Sequence, residues 1–362
     1  MGSVWKDRIS VSISGESHGT ALCVTLDNLP HGYYIDNDKI KACLDRRSPS
    51  GEYATGRKES DKYEIISGIY KDMTTGAPLT ALIQNKDVNS SAYDDLKNLA
   101  RPGHADYSAH LKYDGFNDPR GGGHFSGRIT AALVIAGSIC SQILENKGIH
   151  TGAHIYSIQF VKDKPFSDCK ITEDLLRTLK IADMPVIDLN ITVDMVNAMT
   201  AVARSGDSIG GIIECAVINL PAGIGSPIFD GLENQIAAMA FAIGGIKGIE
   251  FGAGFSAATM TGSENNDSFY MEDGKIRTNG NNHGGVLGGI TTGEPLTFKV
   301  AVKPVPSISL EQSTVDFVNM TNERIAVKGR HDSCIVPRAV VCVESIASIA
   351  ALNQCVSHGL FN

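Results

Sequence analysis

Four short polar segments, each framed by glycine, hold most of the side chains that could do chemistry. They are Gly15-Glu16-Ser17-His18-Gly19, Arg101-Pro102-Gly103-His104-Ala105-Asp106, Arg120-Gly121-Gly122-Gly123-His124-Phe125-Ser126-Gly127-Arg128, and Lys328-Gly329-Arg330-His331-Asp332-Ser333-Cys334. An imidazole can give or take a proton near neutral pH, so His18 and His104 are candidate acid–base groups. In the second segment a Pro-Gly turn sets His104 on rigid backbone, where Asp106 could orient it or balance its charge. In the third, consecutive glycines let backbone N–H groups approach an anion ahead of a helix. The flanking arginines suit bidentate contact with phosphate or carboxylate. Taken singly, each motif has a bland alternative, since a loop histidine is more often a structural hydrogen-bonder and a charged turn is usually solvated.

Other chemistries find little support. The third segment lacks the Lys-Ser/Thr ending of a nucleotide-binding P-loop. Gly252-Ala253-Gly254-Phe255-Ser256-Ala257 fits a dinucleotide fingerprint, but the residues after Ala257 read as strand and loop rather than the required helix. The 10 histidines show no helical pair with a carboxylate at metal-ligand spacing, so no metal is expected. The 8 cysteines are scattered without a C-x-x-C pair, which supports neither a disulfide scaffold nor a zinc ribbon. Together the four segments suit a small polyanionic ligand and proton transfer.

The rest of the chain must position these segments. Its 362 residues, 42% apolar and 20% charged, are those of an ordinary globule, expected as one domain over 1–362. Glycine is unusually frequent, 38 residues against a typical ~7%, which points to tight turns and close backbone approaches. The net charge of −8 argues against a dedicated nucleic-acid binder. No signal peptide opens the sequence, and no uninterrupted apolar run approaches the ~20 residues of a membrane span. By elimination a cytoplasmic location is expected, with no membrane and no nucleic-acid partner.

Alternation predicts strands over 8–14, 21–26, 64–69, 78–84, 212–220, 289–291 and 295–302. Helices are expected from an Asp36 N-cap, over 129–144, near 173–179 and 193–204, through 232–243, and from Pro337 to about 356. Polar loops fill 46–60, 86–128 and 263–283. Long helices beside hairpin-like strands indicate an α+β fold.

Taken together, the polar segments resemble those of the chorismate synthase family. The segments at 15–19, 123–128 and 329–334 match its three signatures in order. Arg101 to Asp106, Asn281-Asn282-His283-Gly284-Gly285-Val286-Leu287-Gly288-Gly289-Ile290 and Lys303-Pro304 also fit. The resemblance implies a sandwich of antiparallel β-sheets packed with α-helices, and a lyase in aromatic amino acid biosynthesis by the shikimate pathway. That lyase converts 5-enolpyruvylshikimate 3-phosphate into chorismate and phosphate by 1,4-trans elimination, with reduced FMN (FMNH2) as cofactor and no net redox change. It further implies a homotetramer and, in some cases, a separate flavin reductase.

Carried over by the same resemblance, His18 stands near the departing phosphate, His104 near the flavin's pyrimidine edge and Asp332 near its reactive nitrogen. Arg47, Arg128 and Arg330 match anion-binding positions for substrate or NADPH. Flavin contacts fall on His124, Phe125, Ser126, Gly244, Gly245, Gly288, Lys303, Pro304, Val305, Pro306, Ser307 and Arg330. The chain departs from the common pattern at His124-Phe125, Ile129, Gly244-Gly245, Ser333 and Asn28, and carries Glu52 at the second basic position of an NADPH contact. Two competing readings are an FMN-dependent oxidoreductase on a small polyanion, and an anion- or RNA-binding oligomer using Arg46, Arg47, Arg57 and Lys58.

Overall fold

A computed structural model of the chain describes residues 2–48, 61–85, 97–327 and 332–361. Arg330, Glu52, Arg57 and Lys58 lie outside the described residues.

Two five-stranded antiparallel sheets form the outer layers. The first runs Val4–Lys6, Ser10–Gly15, Ala21–Asp27, Leu79–Gln84 and Tyr63–Ser67 in spatial order. Its middle strands alternate strictly, with Leu22, Val24 and Leu26 facing Leu79, Ala81 and Ile83 on the buried side. The second sheet runs Ile246–Phe251, Leu296–Val302, Gly211–Ile218, His150–Ile158 and Val161–Lys162. Strand His150–Ile158 has hardly any alternation because both its faces are covered, which hides it from a period-two reading. Ile246–Phe251 is a further strand that alternation does not predict, half-buried along most of its length.

Helices Asn37–Arg47, Thr130–Glu145 and Val336–Ser357 fill the space between the sheets. Asp36 caps the first of them, its carboxylate accepting from the Asp38 N–H at 2.8 Å. Gln142, from the second helix, both accepts from and donates to the Asp36 backbone, at 2.7 and 3.2 Å, which locks the two helices together. Where the second and third helices cross, a Cβ on Gly137 would stand 2.2 Å from the Ser345 Cβ, so only glycine permits this approach. Two helical segments, Gly127–Glu145 and Val336–Ser357, are long and apolar enough to cross a membrane once their interspersed Ser and Gln are tolerated. Their apolar windows are 67% and 94% buried inside the protein, so here they form the core.

One expected loop is something else. Between 263 and 283 the chain forms a hairpin, Ser268–Glu272 with Lys275–Asn279, exposed on nearly every residue. With neither face buried, it carries no alternation to read. The expected long loop after 86 contains a helix, Asp106–Lys112.

Candidate active site

The glycine triplet organises the site. Gly121, Gly122 and Gly123 all have positive φ, at 59°, 86° and 54°, which a β-carbon disfavours. A Cβ on Gly121 would fall 2.1 Å from His18 Nδ1, and one on Gly122 would fall 3.0 Å from His104 Nε2. Two imidazoles far apart in the sequence, His18 and His104, therefore rest on adjacent glycines of one loop. The Ser17 N–H donates to the Gly123 carbonyl at 3.0 Å, fixing the His18 turn to that loop. His18 itself is buried, at 8% exposure.

His104 is oriented from behind. Its Nδ1 lies 2.7 Å from Asp106 Oδ1, so the Nδ1 proton points at the carboxylate and Nε2 turns toward Gly122. Arg101 donates to the same carboxylate through Nε and Nη2, both at 2.7 Å. Burial disfavours the Asp106 charge, but the hydrogen bonds from His104 and Arg101 outweigh it and hold the carboxyl well below the usual carboxylate range. The sequence offers Asp106 to orient His104 or to balance its charge, and the 2.7 Å contact serves either role.

The segment from Lys303 to Ser307 closes on the other side of this knot. Arg101 Nη1 reaches Ser307 Oγ at 3.5 Å, Lys303 Nζ donates to the Gly103 carbonyl, and Pro306 packs beside Gly103. The Lys303 N–H donates to the Gly245 carbonyl at 2.9 Å, and Ser208 Oγ donates to the Val305 carbonyl at 2.7 Å. Pro304 is exposed. Burial lowers the Lys303 pKa, and the neighbouring Lys247 charge lowers it further. Gly244 faces open space, while a Cβ on Gly245, whose φ is 98°, would stand 3.3 Å from Ile335 Cδ1.

Arginines supply the remaining wall. Asp61 accepts from Arg47 through one oxygen, at 2.6 Å, and from Arg128 through the other. Burial pushes the Asp61 pKa up, but the two guanidinium charges outweigh it and lower it. Arg128 Nε reaches the Asn85 side-chain carbonyl at 3.3 Å, and the Asn85 amide donates to the Glu16 and Gly19 carbonyls of the His18 turn. On the other flank Arg338 donates to the Arg47 carbonyl at 2.8 Å and pairs with Asp332. The contacts thus run in a closed circuit: His18, the glycine loop, His104, Arg101, Lys303, Gly245, the 332–338 turn, Arg47, Asp61, Arg128, Asn85 and back.

The other expected residues sit around or outside this circuit. His124 ties the loop to the first sheet, with Nδ1 donating to the Gly15 carbonyl and Nε2 beside Ser3 Oγ, both at 2.7 Å. Phe125 is exposed, its ring tilted against that of Tyr113 with centroids 6.4 Å apart, and Ser126 caps the turn that starts the Thr130–Glu145 helix. Gly288 stands in the small hairpin at Val286–Thr291, where a Cβ would meet nothing within 4 Å, and no contact among the described residues joins it to the circuit. Asn28, in place of a common glycine, takes φ 60° as its side chain allows. Sequence reasoning passes over Asp61, Asn85 and Arg338, none of which belongs to a glycine-framed motif. The basic patch considered for RNA does not form a surface from its described members. Arg46 is bidentate to buried Glu344, at 2.6 and 2.9 Å, and Arg47 is paired with Asp61.

Two antiparallel sheets around a helical layer, with histidines and arginines gathered by glycine loops, fit an enzyme that acts on a small anionic substrate. The family model for chorismate synthase matches residues 9–356. The chain is 45% identical over 347 residues to a chorismate synthase of Dehalococcoides mccartyi, covering 96% of this chain and 94% of that one. It is 44% identical to one of Thermococcus kodakarensis, covering 93% of each, and 40% identical to one of Methanosarcina barkeri, covering 100% and 98%. A crystal structure of chorismate synthase superposes with a TM-score of 0.75 at 26% identity, covering 97% of this chain and 92% of that one. The chain belongs to the chorismate synthase family.

Proposed function

We propose that the chain converts 5-enolpyruvylshikimate 3-phosphate into chorismate and phosphate by 1,4-trans elimination, with reduced FMN as its cofactor. The observation that carries this reading is the seating of His18 and His104 on adjacent glycines of the loop that ends in Arg128. A substrate with a phosphate and two carboxylates needs guanidinium donors more than it needs a nucleophile, and Arg47 and Arg128 supply them. His18 places a proton donor where the leaving phosphate gathers charge. His104, with its Nδ1 proton held by Asp106, presents Nε2 toward the glycine loop.

The donor set fits a flavin mononucleotide. Lys303 beside Lys247 gives two cations for a phosphate, and Gly244 leaves its backbone open for close approach. Pro304, Val305, Pro306 and Ser307 line the same edge next to His104, while His124, Phe125 and Ser126 flank the loop opposite. Reduced FMN, if held there, would supply electron density and a basic nitrogen to the reaction. Asp332, held by Arg338, would be the carboxylate that holds a proton and passes it on. We place the enzyme in the cytoplasm as a homotetramer, supplied with reducing equivalents by a separate flavin reductase.

The test is anaerobic mixing with reduced FMN and the substrate while following chorismate absorbance. Many chorismates should form per flavin reduced. One chorismate per reducing equivalent would mean net hydride chemistry and would end the elimination reading.

A further inference from the structure

The buried carboxylate of Asp61 lies outside the glycine-framed motifs, yet Arg47 and Arg128 both meet on it. Its side chain is 1% exposed, against 3% for Arg47 and 13% for Arg128. Each oxygen takes a different arginine. Within this trio one anion stands between two cations. A guanidinium presents several N–H donors in a fixed fork, so where the fork is held decides what else it can receive. The most exposed member, Arg128, is the one aimed toward the His18 turn through Asn85.

We propose that Asp61 is a positioning residue for the substrate: a permanent counter-ion that holds Arg47 and Arg128 close enough to receive one polyanion together. This rests on the substrate reading above. Without the carboxylate, two guanidinium groups brought together in a largely buried site repel one another, and their shared geometry is lost. The opposite idea is that Asp61 only fills the anion site until substrate displaces it. Burial argues against that, because displacement would strip an ionised carboxylate of both partners inside the protein. The two ideas predict opposite signs. A neutral residue at 61 makes the site more positive, so a displaced placeholder predicts tighter substrate binding, whereas a positioning counter-ion predicts weaker binding.

The experiment compares anaerobic steady-state kinetics of the wild type, Asp61→Asn, Asp61→Glu and Arg128→Ala with reduced FMN, together with inhibition by inorganic phosphate. For Asp61→Asn, KM should rise roughly tenfold or more, phosphate should inhibit more weakly, and kcat should move far less. Asp61→Glu keeps the charge and should recover part of the loss; if Asp61→Asn does not fold, a raised KM in Asp61→Glu carries the same test. A KM that is unchanged or lower at position 61, with Arg128→Ala impaired, overturns the proposal. An Arg128→Ala variant with normal KM removes the arginine assignment, and the proposal with it. A wild type that makes no chorismate removes the underlying reading instead.

Discussion

Two buried ion clusters in this molecule are mirror images in charge. On the second sheet, His154 sits between Asp163 and Glu214, at 3.0 and 2.9 Å, one potential cation between two anions. In the site, Asp61 sits between Arg47 and Arg128, one anion between two cations. The first cluster is sealed, with side-chain exposures of 0%, 0% and 6%. Its carboxylates also accept backbone N–H groups, Asp163 from Lys164, Ile187 and Asp188, and Glu214 from Phe166. Register continues the pairing across the sheet, since His154, Glu214, Lys299 and Glu250 fall in one row of alternating sign. The second cluster holds two cations to one anion and leaves Arg128 partly exposed. Satisfied acceptors make the first a piece of architecture; the two guanidinium groups of the second, one of them partly exposed, are what the proposed substrate would meet.

That distinction breaks first if the histidines of the site behave like His154. His18→Ala and His104→Ala should stay folded and bind FMN while kcat falls about 10²–10⁴-fold; full activity in either variant removes that residue from catalysis. Next comes Asp332→Asn, which keeps shape but loses the ionisable group. Its kcat should drop on the order of 10²-fold with flavin Kd nearly unchanged, and a weakened Kd with intact kcat would make Asp332 a loop anchor only. The sealed cluster should show the reverse pattern. Glu214→Gln should lower unfolding free energy by about 3–5 kcal/mol, as breaking a buried pair does, and leave KM and kcat alone at temperatures where the protein is folded. Altered kinetics in that folded variant would join the two regions functionally.

The smallest effect is in the pH dependence. Burial pushes the His154 pKa down, but the bonds to Asp163 and Glu214 outweigh it and raise it above the ordinary 6.5. A raised folded value means that the stabilisation is complete below 6.5 and drains away as pH rises through the folded value. Asp163 works at the other end. Burial opposes its charge, yet the His154 bond and the backbone donors lower its pKa, so its share is present above 3.8 and fades in acid. The melting-temperature gap between wild type and His154→Gln should therefore narrow as the pH rises above 6.5; a constant gap would mean that the imidazole is not charged in the fold.

Local chemistry was legible in the residues. The Asp36 cap, the two-residue step from His104 to Asp106, and the alternation of Leu22, Val24 and Leu26 are all set within a few positions, where backbone geometry alone fixes who meets whom. The glycine frames were legible too, because a β-carbon disfavours the φ values of Gly121 to Gly123, and at Gly121 it would also strike His18. Partnership over distance lay beyond reach. Asp61 meets Arg128 across 67 positions, Arg46 meets Glu344 across 298, and Gly137 admits Ser345 from the far end of the chain. Nothing local distinguishes Asp61 from any other acidic residue in a polar stretch. It becomes the counter-ion of two arginines only when the first sheet and the helical layer close over it, because burial turns a weak surface attraction into one strong enough to fix where the arginines stand.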